Sequence, residues 1–465
     1  MNSRLSFFKK EDLTTPALWY VLMLASVSLL DKGEIKVIRL VDIFALITFI
    51  LLIKEKWRKR ELAILIVPWW KTLVGFGLIA VLAFAYSFSL PFDLNIPNAV
   101  GAKAPYVRGF IQTGKLFFAV IMFYWLTINV VNNYQELRIA IWFFTAGAAL
   151  ATLYGLFIDV GFMLGYSTGQ MFTEEVWVVP RLYATGKEPL FFANYLVFAI
   201  PLTFFLITIE AQKYRSRLLW VMLTLEIFAL ILTFSAGGWI GLIVVIVSLL
   251  LLRFKTLWDH RKGLLITGIA VILGLILLIN IYPILSRGFI ALTPKITSIF
   301  RLEKLFANDL LNYSPSVTST TDRKNLSRTA INIFKDHPVI GVGLGNYAFV
   351  FNQYKPPDVQ RYNFVSIANN QYLEILAETG ILGFIFYISF ILMICWKSLQ
   401  AILARPPSLL KNALTFIFCG LLGVLVQYLT FSSTPLNYFW ISAGLLMAVI
   451  NIADKEDRVC HEDRD

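Results

Sequence analysis

The sequence predicts an all-α polytopic membrane protein of about twelve transmembrane helices, with one large outward loop late in the chain. Three observations lead there. Of 465 residues, 58% are hydrophobic and the mean hydropathy is +0.71, above the roughly 45–50% apolar content of soluble domains. The apolar residues come in long, unalternating runs bounded by charge clusters, a pattern that suits helices and not barrel strands. One segment, Pro283 to about Gln371, breaks an otherwise regular succession of short connections.

The runs follow in order. Pro16 to Leu30, Val37 to Ile53, Leu73 to Phe88, Leu116 to Val131 and Ile139 to Leu156 fill the N-terminal third. Leu190 to Ile209, Leu218 to Phe234, Trp239 to Leu252 and Gly263 to Tyr282 come next, and Ile375 to Trp396, Ala413 to Thr430 and Tyr438 to Ala453 complete the set. The chain thus divides into a bundle of about nine spans over 1–282, an outward loop over 283–371, three spans over 372–453 and a tail over 454–465. The first span lacks a small-residue cleavage pattern and reads as a retained helix.

The net charge of +12 would suggest nucleic acid in a soluble protein. Here it follows membrane topology instead. Arg4, Lys9 and Lys10 precede the first span, Lys54 to Arg60 follows the second, Lys213, Arg215 and Arg217 follow the sixth, and Lys255, Arg261 and Lys262 follow the eighth. All fall on one side if both termini are cytoplasmic, the positive-inside expectation, which turns the large loop outward. Soluble dehydrogenases, nucleic-acid modules and secreted disulfide scaffolds are excluded by composition. Cys395, Cys419 and Cys460 and the histidines His260, His337 and His461 show no metal-ligand spacing, so neither metal nor cofactor is expected.

The outward loop carries the basic residues Arg287, Lys295, Arg301, Lys304, Arg323, Lys324, Arg328, Lys335, Lys355 and Arg361 against the acids Glu303, Asp309, Asp322, Asp336 and Asp358. Two readings account for the excess: a solvated cap with a basic face, or an outward cavity for an anion such as phosphate. Between Arg323 and Asp336, Leu326, Ala330, Ile333 and Phe334 recur at helical spacing, with Arg328, Asn332 and Lys335 opposite, which predicts an amphipathic helix on the outer surface. Pro338 stops it, and Gly341-Val-Gly-Leu-Gly-Asn346 reads as a turn; a phosphate-cradling loop would need a preceding strand and a following Lys-Ser/Thr. Asn369 or Asn370 can cap the next helix, on which Glu374 and Glu378 stand at i and i+4. Glu378, about two turns below that cap, reads as an acid near a substrate or an orienting partner for an arginine, with a structural salt bridge as the competing role.

Three stretches together carry a resemblance. Arg328-Thr-Ala-Ile, then Phe334-Lys-Asp-His-Pro338-Val-Ile-Gly-Val-Gly-Leu-Gly-Asn346, then Asn369-Asn-Gln-Tyr-Leu-Glu-Ile-Leu-Ala-Glu-Thr-Gly-Ile-Leu-Gly383 resemble the O-antigen ligase and O-antigen polymerase superfamily of bacterial polytopic membrane proteins, with a weaker match over Arg181 to Pro201. The resemblance implies a fold similar to C-type membrane glycosyltransferases. It also implies transfer or polymerisation of undecaprenyl-diphosphate-linked glycan at the outer face of a bacterial inner membrane, onto a glycan or lipid-linked acceptor. Membrane lipids and polysaccharide assembly or export proteins are then the expected partners, and nucleic acid is not. Two family positions differ: the histidine that many ligases carry is Asn369 here, and the Ser-Arg pattern before a tryptophan stands as Ser235-Ala-Gly-Gly-Trp239. Because some relatives are named as bicarbonate carriers, anion transport is the alternative.

Glycan transfer from a diphosphate needs a cation where leaving-group charge develops, and arginine engages phosphate bidentately. Arg181 and Arg328 are the expected cations, with Arg323 and Arg361 behind them; snorkelling to lipid headgroups is the competing role. Glu378, Glu374 or Glu188 would supply a base if one is used. Asn369, Asn370, Tyr372 and Ser235 are expected to touch substrate, Tyr372 by stacking on a sugar or by sitting at the membrane interface.

Overall fold

The computed structural model describes residues 14–27, 39–59, 69–92, 105–163, 181–186, 188–281, 315–359, 367–432 and 437–462. They are helical, with no strand among the described residues. The elements are α1 (Thr15–Ser26), α2 (Leu40–Arg58), α3 (Trp70–Ser87), α4 (Pro105–Val130), α5 (Tyr134–Met163), α6 (Pro189–Ile209), α7 (Lys213–Leu232), α8 (Ala236–Asp259), α9 (Arg261–Ile281), α10 (Pro315–Asp336), α11 (Tyr347–Tyr354), α12 (Gln371–Ala404), α13 (Leu409–Gln427) and α14 (Asn437–Glu462).

Among the described residues, each of the apolar runs read from the sequence is covered for most of its length by a helix. Eight described helices, α3, α4, α5, α6, α8, α9, α12 and α13, are long and apolar enough to cross a membrane. The remaining four fall outside that set. α1 has only 12 residues, α2 and α14 end in charged turns, and α7 begins on Lys213, Arg215 and Arg217. Boundaries also move. α4 starts at Pro105, about three turns before the expected Leu116, because a proline at a first helical position loses no hydrogen bond. α10 starts at Pro315, ahead of the expected Arg323, and α14 continues through Glu462, so most of the predicted tail is helix. Residues 282–314 of the expected outward loop lie outside the described residues.

Burial sorts the helices. α6 and α13 are enclosed along most of their length, whereas α8 and α9 present Leu250, Leu251, Leu265, Ile266, Ile272 and Leu277 outward. That much exposed aliphatic surface requires lipid. α13 packs on α6 and α8, and meets α8 where Gly241 and Gly423 allow backbone-to-backbone approach. Within α4 a π-helical stretch, Val120–Trp125, interrupts the ladder and aims Tyr124 at Phe390 and Trp440.

A second, smaller core lies at one end. Leu326, Ala330 and Ile333 of α10 pack with Val342, Tyr347, Val350 and Phe351 and against Ala377 of α12, so the apolar face predicted for α10 is the underside of a cap. That cap sits on the C-terminal ends of α3 and α13: Gln353 donates to the Pro91 carbonyl at 2.9 Å and Arg323 to the Thr430 carbonyl at 3.1 Å. By helix alternation the opposite end carries Lys54 to Arg58, Lys213, Lys255, Arg261, Arg405 and Lys411.

Candidate functional site

The cap is fastened to the bundle through the turn after α10. Gly341, Gly343 and Gly345 have φ of 69°, 94° and 78°, and Gly380, where α12 departs from helical geometry, has φ of 62°. Backbone bonds lace the two segments together: Gly343 N–H to the Glu378 carbonyl at 2.8 Å, Val342 N–H to that of Ala377 at 3.2 Å, and Ile381 N–H to that of Pro338 at 2.8 Å. A Cβ on Gly341 would stand 2.6 Å from the Ala377 carbonyl oxygen, so only glycine fits. The turn and the helix break therefore form one device, and both belong to the sequence stretches that carry the resemblance.

Two carboxylates anchor the same region. Glu378 is buried and accepts from the backbone N–H of Tyr347 at 3.1 Å and from that of Gly345. Glu374, one turn earlier and equally buried, accepts from the Ala368 N–H and the Ser432 hydroxyl, each at 2.7 Å. Asn370 caps α12, its side-chain oxygen accepting from Tyr372 and Leu373 N–H at 3.1 Å.

Two polar corners flank this anchor. In the first, Arg181 is buried, and its Nε and Nη2 donate to the carbonyls of Thr233 at 3.0 Å and Phe234 at 3.4 Å. These carbonyls end α7, where a cation is favoured. Ser235 caps α8 by accepting from Gly238 N–H at 3.2 Å. Gly237 packs against Thr430, whose carbonyl takes the Arg323 bond, so Arg181 and Arg323 reach turns that meet at this contact. Asn194 of α6 donates to Gln427 at 3.0 Å beside them. Ala184, Phe234 and Asn369, all at this end, have φ of 51°, 46° and 51°, a left-handed strain that concentrates where function holds it.

The second corner was not foreseen. Arg108 and Gln112 stand at i and i+4 in the first turns of α4 and face the glycine turn: a Cβ on Gly345 would come within 2.7 Å of Gln112 Cγ and 3.4 Å of Arg108 Nε. Arg108 also lies over the Phe349 ring at 5.9 Å and within electrostatic reach of Glu378 and Glu374. A cation at a helix N-terminus opposes the helix dipole, the signal that marks Arg108 in the sequence. A fourth span that begins at Leu116 leaves Arg108 in a connection, where that signal is absent.

The expected site residues separate accordingly. Arg181, Arg323, Ser235, Asn369, Asn370, Glu374 and Glu378 gather at the cap end. Arg328 stands half-exposed on α10, 3.8 Å from Asp358 and apart from the Arg181 corner. Tyr372 donates its hydroxyl to the Leu425 carbonyl at 2.7 Å, tying α12 to α13. Glu188 precedes α6 without capping it through its side chain. Arg361 lies outside the described residues. His337 bridges the hydroxyls of Tyr86 at 3.3 Å and Tyr354 at 3.0 Å, and burial holds its imidazole below its usual value against the opposing pull of Asp336.

Comparison with known sequences bears on this end of the molecule. The sequence model of the O-antigen ligase family matches residues 195–388, from the second turn of α6 to beyond the break in α12. Over that segment the chain is similar to the O-antigen ligase family. A protein of Haemophilus influenzae, described as uncharacterized, is 33% identical over 192 residues, which span 39% of this chain and 43% of that one. The family segment thus contains Ser235, Arg323, the glycine turn and both anchoring glutamates, while Arg108, Arg181 and Thr430 contribute from outside it. With eight described helices long and apolar enough to cross a membrane, the chain is a multi-pass membrane protein.

Proposed function

We propose that the protein is a membrane glycosyltransferase that transfers or polymerises undecaprenyl-diphosphate-linked glycan at the outer face of the cytoplasmic membrane, with both termini cytoplasmic and the cap outside. Supporting the orientation are the basic residues at the end of the bundle opposite the cap. One observation carries the chemistry: Arg181 and Arg323 each donate to a backbone carbonyl, of Thr233 and Thr430, in turns that meet where Gly237 packs on Thr430, within or beside the segment similar to the ligase family.

In the reaction an acceptor hydroxyl attacks the anomeric carbon, the bond from that carbon to the phosphate oxygen breaks, and the lipid diphosphate departs with the bonding electron pair. The acceptor's proton leaves to solvent or to the departing phosphate. Charge grows on the diphosphate in the transition state, and buried guanidinium groups stabilise it more strongly than water does. Arg181 is the principal cation, Arg323 lies beside it, and Arg328 on the outer rim draws the anion in. Glu374 and Glu378, each held by hydrogen-bond donors, keep the mouth in shape. Positioning two substrates in one mouth supplies much of the remaining acceleration.

The test is transfer by the purified full chain in lipid nanodiscs, using lipid-linked glycan extracted from the producing strain. Longer glycan on the lipid carrier, sharply reduced in Arg181→Ala at equal amounts of folded protein, is the expected result. No change in the glycan with wild-type protein overturns the reading.

A further inference from the structure

We infer that the corner formed by Arg108, Gln112 and Asn346 is a binding subsite for neutral sugar hydroxyls of the glycan, distinct from the diphosphate-facing corner at Arg181. This deepens the proposed function and rests on it for the source of the glycan. Three buried polar atoms there have no hydrogen-bond partner among the described residues: Arg108 Nε, Gln112 Oε1 and Asn346 Oδ1. Asn346 is completely buried, and its amide nitrogen is fixed to the Val342 carbonyl at 3.0 Å, so the free oxygen has a set direction. Buried polar groups are rarely left unpaired, and a cluster of them at one place signals a missing partner.

The chemistry of the leftover atoms selects the partner. One is a donor and two are acceptors, so the ligand must both accept and donate. A hydroxyl does both, and a sugar presents several. A phosphate accepts only, and it would be repelled by Glu378 and Glu374, both within electrostatic reach of Arg108. Phe349, under the guanidinium, and Tyr106, stacked on Phe88 at 4.8 Å, add the apolar surface on which a pyranose face rests. The location also fits, since the glycine turn joins this corner to the helix that carries both anchoring glutamates.

The experiment measures two probes on the full chain in nanodiscs: neutral oligosaccharide released by mild acid from the strain's own lipid carrier, and inorganic pyrophosphate. The oligosaccharide binds the wild type, and Gln112→Leu or Asn346→Ala weakens it about tenfold, the worth of one lost hydrogen bond, without changing pyrophosphate binding. Gln112→Leu removes an unpaired buried carbonyl, so its thermal midpoint stays equal or rises while binding falls. Equal glycan affinity in all three proteins, no glycan binding by the wild type, or a lower midpoint in Gln112→Leu overturns the subsite. Arg181→Ala is measured beside them. If it keeps both pyrophosphate binding and transfer, the donor reading fails, and the oligosaccharide data still decide the subsite separately.

Discussion

Arg181 and Arg108 are buried to different degrees at the same end of the same bundle, and the protein uses them in opposite ways. Arg181 gives hydrogen bonds to two carbonyls at the end of α7, so its orientation is set before any ligand arrives. Arg108 keeps an unpaired Nε beside two unpaired amide oxygens, so its corner is complete only with something bound. A satisfied cation organises a site and lends it charge without reorganisation. An unsatisfied cluster stores a binding requirement that stability alone would remove.

Replacing Arg181 should give the largest effect. Arg181→Ala is expected to lower transfer by a factor on the order of a hundred, and to cost about 2–3 kcal/mol because two carbonyls lose a charged donor. Arg181→Lys keeps the charge but not the fork and recovers only part of the activity. Surface polysaccharide and membrane abundance, measured together, separate the two effects. If Arg181→Ala left polysaccharide unchanged, the two corners would not differ in the way drawn here.

Gly341→Ala attacks the device that holds the second corner. With φ at 69° and the Ala377 carbonyl in the way, it should cost about 3 kcal/mol or more, visible as lost thermal stability. In whatever protein remains folded, oligosaccharide binding should fall further than pyrophosphate binding, because the turn places Asn346 and not Arg181. Glu374→Ala comes next. It strands the Ser432 hydroxyl and the Ala368 N–H at the seam between the corners, for about 2 kcal/mol, and Glu374→Gln should restore part in the same melting experiment.

A smaller effect depends on pH. Burial lowers the affinity of His337 for a proton in the folded protein, so the unfolded chain binds that proton more readily. The resulting stabilisation is present above the ordinary imidazole value of about 6.5 and declines as pH falls below it toward the folded value. Hydrogen exchange in α10 and α11 should therefore quicken in mild acid, and His337→Phe should flatten that response. A response unchanged in His337→Phe would assign it to other groups.

Much of the architecture is readable because lipid imposes a simple grammar: the described part of every apolar run is mostly helix, and the underside of α10 follows from its spacing. Within the site, Glu374, Glu378, Asn370 and the glycine turn stood out by local pattern. What could not be read was tertiary. Nothing in Gly341 or Gly380 alone reveals that each needs the other's backbone at close range. Arg108 lies more than two hundred positions before the turn it faces. A helix start moved by three turns was enough to hide it, since a polar residue in an assumed loop raises no question, whereas the same residue at a helix N-terminus does.

The smallest effect belongs to Arg328, which sits in neither corner. Its contact with Asp358 at 3.8 Å is exposed on both sides, so Arg328→Ala should change stability by no more than about 0.5 kcal/mol. What it can supply is long-range attraction, which acts on encounter and is screened over about 10 Å at 0.1 M salt. The variant should therefore need a few-fold more lipid-linked donor at low salt, at unchanged maximal rate, and the difference should fade as salt rises. A deficit that persisted at high salt would mean that Arg328 touches the diphosphate, and the outer rim would then have to be counted as a third corner of the site.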